Sequence, residues 1–187
     1  PERLEGIHVN MPTVGPDRDT LGDLTPSEQQ ALDDLSRHTS EGMGYSTQQS
    51  TRPQTLGYGL TDSPAGQCAW IAEKFWAWTD NDGHPEDALS RDQILDNVSV
   101  YWFTATAASS ARLYWESFNN ASMDPIAMPV GCSIFPKEIF RCSRRWAEKR
   151  FSNIIHWNEL ERGGHFAALE QPALFLGELR TCFRALR

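Results

Sequence analysis

No stretch of this sequence stays apolar for long. The longest uncharged run, Asn97 to Ala111, falls short of the roughly 20 residues that a membrane-spanning helix needs. Positive charge is the scarcer sign, with 17 Lys+Arg against 25 Asp+Glu and a formal net charge of −8. That balance excludes broad binding to nucleic acid or to anionic membranes, both of which rely on clustered cations. Cysteines are few: Cys68, Cys132, Cys142 and Cys182 form no C-x-x-C pair, and no two Cys or His residues stand at metal-ligand spacing. Neither a disulfide framework nor a zinc site is expected, and the four read as small, mostly buried thiols. No cofactor-binding pattern, internal repeat, low-complexity tract or basic leader with an apolar stretch is visible. What is present is a 40 % hydrophobic, 11 % aromatic chain of 187 residues, enough for a packed core. The expectation is a soluble, cytoplasmic polypeptide forming one compact unit or one unit with an inserted lobe.

Periodicity and caps divide the chain. Gly6 to Pro12 alternates like a strand, Thr13 to Leu24 reads as linker, and Thr25-Pro26-Ser27-Glu28 opens a helix reaching about Arg37. His38 to Thr61, polar and carrying four glycines, reads as loop with short turns. Ser63-Pro64 caps a helix to about Asp80 whose predicted apolar face is Ala65, Ala69, Ile71, Ala72, Phe75 and Trp76. Ser90 and Gln93 form a capping box before a helix to Thr104, and a further helical piece covers Thr106 to Phe118. The last third alternates a strand (Ile126–Val130), a helix (Ser143–Arg150), a strand (Asn153–Trp157) and a closing helix (Leu174–Leu186). Strand, helix, strand, helix is the pattern of parallel α/β architecture. A helical lobe therefore interrupts an α/β sheet, and the Gly6–Met11 and Ile126–Val130 strands are expected as exposed edges prone to pairing with other chains, giving a homo-oligomer.

Three groups of residues could carry chemistry. Arg162-Gly163-Gly164-His165-Phe166 follows a predicted strand, where open α/β sheets gather their ligands. Two glycines let the backbone turn and deliver the imidazole to a cleft, although a surface histidine in a flexible loop fits the same residues. Phe135-Pro136-Lys137-Glu138 follows the preceding strand, so Glu138 and His165 can emerge side by side. A carboxylate accepting from one imidazole nitrogen fixes the tautomer and leaves the other as a base. Glu138 could equally be an acid placed at a helix N-terminus. Tyr45 and Tyr114 offer neutral phenol donors suited to an oxygen that gains charge, or serve as structural aromatics like Tyr58 and Tyr101. Trp70, Phe75, Trp76 and Trp78 read as helix packing or as the wall of an apolar pocket.

Taken together, several segments resemble the microsomal-type epoxide hydrolases. They include Tyr45 through Ser63-Pro64 with Ser50-Thr-Arg-Pro53, the run Ala69-Trp-Ile-Ala-Glu-Lys-Phe75, Tyr101-Trp-Phe-Thr104 and Arg112-Leu-Tyr114. Pro129-Val-Gly131, Phe135-Pro-Lys-Glu138 and Glu161-Arg-Gly-Gly-His-Phe-Ala-Ala168 complete the set, so the similarity covers nearly the whole chain. The resemblance implies an α/β-hydrolase fold with a helical cap: core strand in 1–15, cap in 16–120, and the C-terminal part of the core in 121–187. It implies addition of water to a small apolar epoxide to give a vicinal diol, without a cofactor. His165 resembles the family's water-activating base and Glu138 its orienting acid. Tyr45, eight residues before Pro53, and Tyr114 resemble the two cap tyrosines that donate to the epoxide oxygen.

One part of the pattern is missing. The family's Gly-Gly-Asp-Trp-Gly nucleophile turn and His-Gly-x-Pro oxyanion loop do not occur in the 187 residues, and Asp62 and Asp124 fit the nucleophile role poorly. The chain thus looks like the C-terminal half of such an enzyme, expected to need the N-terminal half and to be inactive without it. Two other functions remain open at this stage. One is a haloalkane-dehalogenase-like hydrolase, which would favour indole or amide donors over phenols. The other is a non-catalytic module holding a lipophilic ligand.

Overall fold

The computed structural model describes residues 3–117, 122–184 and 186. In chain order, β1 (Ile7–Val9) leads through a 3₁₀ turn to α1 (Pro26–Arg37). Then follow α2 (Gly44–Thr51), α3 (Pro53–Asp62), α4 (Pro64–Trp78), α5 (Arg91–Phe103) and α6 (Ala107–Ser117). β2 (Val130–Ile134), α7 (Arg144–Ala147), β3 (Ile154–Glu159), α8 (Ala167–Glu170) and α9 (Pro172–Arg184) complete the order. The predicted helix end at Phe118, the cap boundary at Asn120 and the leading Pro1-Glu2 lie outside the described residues.

Two compact units emerge: Pro1–Arg37 with Met123–Arg187, and His38–Ser122. In the first, three parallel strands lie in the order β1-β2-β3. β2 is buried at all five positions, and alternation sends its side chains two ways. Val130, Cys132 and Ile134 join Val14, Cys142, Trp146, Ala147 and Phe151 in one apolar core. Gly131 and Ser133 take the opposite side, where a Cβ on Gly131 would stand 2.2 Å from the Cys182 sulfur of α9. Only a glycine lets that helix come so close. α1, inside the stretch assigned to the cap by resemblance, packs with this sheet-bearing unit. Arg145 holds it there through Glu28, and Arg141 through Asp34 at 2.5 Å.

The second unit is helical throughout its regular structure. Caps set several of its boundaries: Ser63 Oγ accepts from Gly66 N (3.0 Å), and Ser90 and Gln93 form the predicted reciprocal box. Among the described residues, no helix is long and apolar enough to cross a membrane.

Several expectations need correction. Residues 38–61 are not loop; a π turn (His38–Gly42), α2 and α3 occupy them. The glycines there misled because Gly57 serves close helix approach: a Cβ on it would stand 2.6 Å from that of Ala108 on α6. The middle strand is Val130–Ile134, not Ile126–Val130. Pro129 has no N–H to give a ladder, its carbonyl accepts from Ile7 N (2.9 Å), and Ile126 makes only an isolated bridge to Phe151. Nor is that strand an edge, since β1 and β3 flank it on both sides. The predicted apolar face of α4 is largely open: Ala65, Ala69 and Trp76 are exposed, and Phe75 is its one buried hydrophobic residue. Tyr58 is exposed rather than packed. The closing helix starts at Pro172, preceded by the separate turn of α8.

Candidate functional site

The sheet register delivers Glu138 and His165 to one place. β2 and β3 pair in parallel from Val130↔Ile154 to Ile134↔Glu159. Beyond the strand ends the pairing returns once, as a bridge between Lys137 and Gly164, with Lys137 N donating to Gly163 O at 3.1 Å. Glu138 and His165 are each the next residue after that bridge. The ring Nδ1 of His165 stands 2.6 Å from Oε1 of Glu138. A carboxylate oxygen can only accept here, so Nδ1 carries the hydrogen and the ring's Nε2 has the lone pair. The acid is itself fixed: Ile139 N donates to Oε1 at 2.8 Å, and Asn10, just past β1, reaches Oε2 at 3.5 Å. The Glu138 side chain is fully buried whereas that of His165 is one-quarter exposed, so the imidazole can be reached and its carboxylate cannot. Gly163 at φ +108° makes the turn before the histidine, and Phe135 leaves no room for a side chain there.

Two interactions in this unit had no visible signal. Glu170, at the end of α8, accepts from Gly164 N through Oε2 and from Phe166 N through Oε1, both at 3.0 Å. An acid five positions after His165 looks like an ordinary helix-surface charge until α8 turns it back. Glu178, amid the apolar residues of α9, accepts from Ser133 Oγ (2.7 Å), His156 Nε2 (2.8 Å) and Asn158 Nδ2 (2.9 Å). These bonds hold its carboxyl below the usual range although burial alone would raise it. His8 Nε2 adds a 2.9 Å contact to Ser133, and burial lowers its pKa. Glu178, Ser133, His156, Asn158 and His8 link the three strands to α9, whereas Glu170 stands beside His165.

In the helical unit, Tyr45 of α2 and Tyr114 of α6 meet edge to face, with ring centroids 5.9 Å apart and planes at 81°. Burial pushes Tyr45 up to about 12, helped by Tyr114, and raises Tyr114 as well. Both phenols therefore keep their protons at neutral pH and remain donors. Trp78 packs against the Tyr45 ring at 5.0 Å, and the Lys74 ammonium lies 4.3 Å from its centroid. Trp78 thus belongs to the phenol cluster, whereas Trp76 spends its indole N–H on Gly83 O at 3.2 Å.

No protein-family model matches the chain. A protein of Stigmatella aurantiaca (strain DW4/3-1), whose name places it among the epoxide hydrolases, is 57 % identical over 188 residues, covering 100 % of this chain and 43 % of the relative. Epoxide hydrolase 1 of Sus scrofa is 37 % identical over 149 residues, 73 % of this chain and 33 % of its own length. The structure of Aspergillus niger epoxide hydrolase superposes with a TM-score of 0.86 at 28 % identity, covering 100 % of this chain and 47 % of that one. The chain spans under half the length of each of these proteins. Relatives named epoxide hydrolase thus cover the whole chain, and its backbone matches the C-terminal half of solved epoxide hydrolases, with the α/β-hydrolase fold.

Proposed function

We propose that this chain supplies the water-activating and oxygen-protonating groups of an epoxide hydrolase. The observation that carries the reading is the 2.6 Å contact between the buried Glu138 carboxylate and Nδ1 of the accessible His165. The reaction has two steps. A carboxylate oxygen attacks one epoxide carbon, the ring C–O bond breaks, and the released oxygen takes a proton from the Tyr45–Tyr114 phenol pair. His165 Nε2 then removes a proton from water while Glu138 steadies the imidazolium. The hydroxide adds to the ester carbonyl, the acyl–oxygen bond breaks as His165 returns its proton to the departing alkoxide, and the carboxylic acid so formed gives its proton back to the phenolate, so that the diol leaves with the carboxylate and the phenol pair both restored. The sum is epoxide plus water to diol, with no cofactor.

The turns after β2 and β3, residues 135–143 and 160–166, contain no aspartate. The attacking carboxylate in this proposal comes from the part of the relatives' length that the 187 residues do not span. The test is made on the polypeptide as its gene encodes it, with a small aryl epoxide. Replacing His165 by Gln should lower diol formation by about 10²–10⁴-fold. The same variant should accumulate a covalent adduct weighing one epoxide more than the protein, seen by mass spectrometry. Undiminished turnover by H165Q would overturn the assignment. Phenylalanine at Tyr45 or Tyr114 should slow ring opening by about 10²-fold and leave no adduct.

A further inference from the structure

The structure assigns Glu170 a positioning role: its carboxylate holds the backbone on both sides of His165 and so aims the imidazole at the water it deprotonates. This rests on the reading of His165 as the base. The peptide joining Gly163 and Gly164 is gripped at both ends, its C=O by Lys137 N at 3.1 Å and its N–H by Glu170 Oε2 at 3.0 Å. The peptide following His165 gives its N–H to the other oxygen, Oε1, also at 3.0 Å. One buried carboxylate therefore spans the histidine and ties it, through a single peptide group, to the segment that carries Glu138. Glu138 orients the ring, but a ring can be no better placed than the Cα that bears it. Two glycines precede that Cα, and glycines alone would let it wander. The Gly164 N–H is buried, and leaving it unpaired would be costly. α8 is a single turn whose use, in this view, is to return Glu170 to the loop it follows.

Glutamine at 170 keeps the shape but not the chemistry, because one of its two end groups is a donor and faces an N–H. In a two-step mechanism, slowing ester hydrolysis alone lowers kcat and KM by the same factor and leaves kcat/KM unchanged. Loss of folded enzyme instead lowers kcat and leaves KM alone. In the polypeptide as its gene encodes it, Glu170→Gln should reduce kcat about 10- to 100-fold, with KM falling in parallel and adduct accumulating. Glu170→Asp keeps the charge but withdraws the oxygens by about 1.5 Å. It should shift both constants the same way by less, and it carries the test if the glutamine variant does not fold. A fall in kcat at constant KM, or no change in either variant, would overturn the inference. His165→Gln run beside them separates the two ideas. If H165Q accumulates adduct and the Glu170 variants do not, only the positioning role fails; if H165Q accumulates none, the base assignment falls and this inference with it.

Discussion

β2 is the middle strand of one unit and α4 the longest described helix of the other, and they meet the interior with opposite chemistry. β2 is buried along its length, sending Val130, Cys132 and Ile134 into an apolar core and Ser133 into a polar network on the other side. α4 buries only Gln67 and Phe75. The sheet-bearing unit joins residues more than a hundred positions apart, such as Trp146 to Thr20, Arg145 to Glu28 and His8 to Ser133. The side-chain bonds of the helical unit are mostly local, made by caps and by hydroxyls reaching one turn back, as at Ser63, Thr79 and Thr104. One unit is specified by what meets across the chain, the other by what meets along it.

The sharpest way to break this contrast is to empty the long-range core. Trp146 is 1 % exposed, and its indole N–H donates to Thr20 Oγ1 at 2.8 Å. Trp146→Ala should destabilise the chain by about 3–5 kcal/mol, because little around it can collapse into the space. Denaturant titration would read the loss, and hydrogen exchange should show it at the amides of β2. A cost below about 1 kcal/mol would mean the apolar core is not what holds this unit.

The same contrast explains what could be read in advance. Caps are written within four residues, so the starts at Pro26, Pro64 and Arg91 were legible. The Glu138–His165 pairing was legible too, because strand, helix and strand leave little choice about which loops become neighbours. Glu170 and Glu178 were not, since their partners are backbone amides and strand residues revealed only by the fold. Gly57 was misread for a related reason: a glycine that admits a neighbouring helix looks, in sequence, like one that ends a helix. The strand at Val130–Ile134 was displaced because Gly131 and Ser133 dilute its apolar pattern on the very side where α9 and the polar network need them.

Arg145 offers a smaller but more diagnostic test of the long-range unit. Glu28 is 1 % exposed, and the Arg145 guanidinium, with help from Ser143 and Thr25, holds its carboxyl down at about 2. A group whose folded value is depressed stabilises the fold above its unfolded value near 4.5, and that contribution is lost as pH falls through the folded value. Arg145→Ala should destabilise the fold at neutral pH, by less than breaking a fully buried pair because the arginine is partly in water. It should also raise the Glu28 value toward 4.5, so that the stability this group loses between about 4.5 and about 2 shrinks and the acid limb flattens relative to the parent. An unchanged acid limb would show that Thr25 and Ser143 suffice.

In the helical unit the equivalent long-range determinant is the approach of α3 to α6 at Gly57. Gly57→Ala gains roughly 0.5–1 kcal/mol of helix propensity. It places a methyl 2.6 Å from the Ala108 Cβ, and overpacking of that kind costs about 1–3 kcal/mol. Crowding wins, for a net loss of about 1–2 kcal/mol. Ala108→Gly in the same chain should recover part of it, since the pair would exchange which helix carries the methyl. Failure of that rescue would place the strain elsewhere along the two helices.

The mildest perturbation isolates a purely local signal. Ser63 joins two helices: its backbone N–H closes α3 on Gly59 O at 3.1 Å, and its hydroxyl opens α4 by accepting from Gly66 N at 3.0 Å. Ser63→Ala keeps the first bond and deletes the second, at about 1 kcal/mol. Ser63→Asp restores an acceptor at a helix N-terminus, where negative charge is also favourable, and should return most of the loss. Ser63→Gly should cost only a few tenths, because glycine tolerates the half-helical backbone and leaves Gly66 N to water. That ranking, Asp close to Ser, then Gly, then Ala, follows from the cap alone. If Gly proved worse than Ala, the junction would depend on backbone stiffness between α3 and α4 rather than on the hydroxyl, and the local account of the helical unit would fail where it is simplest.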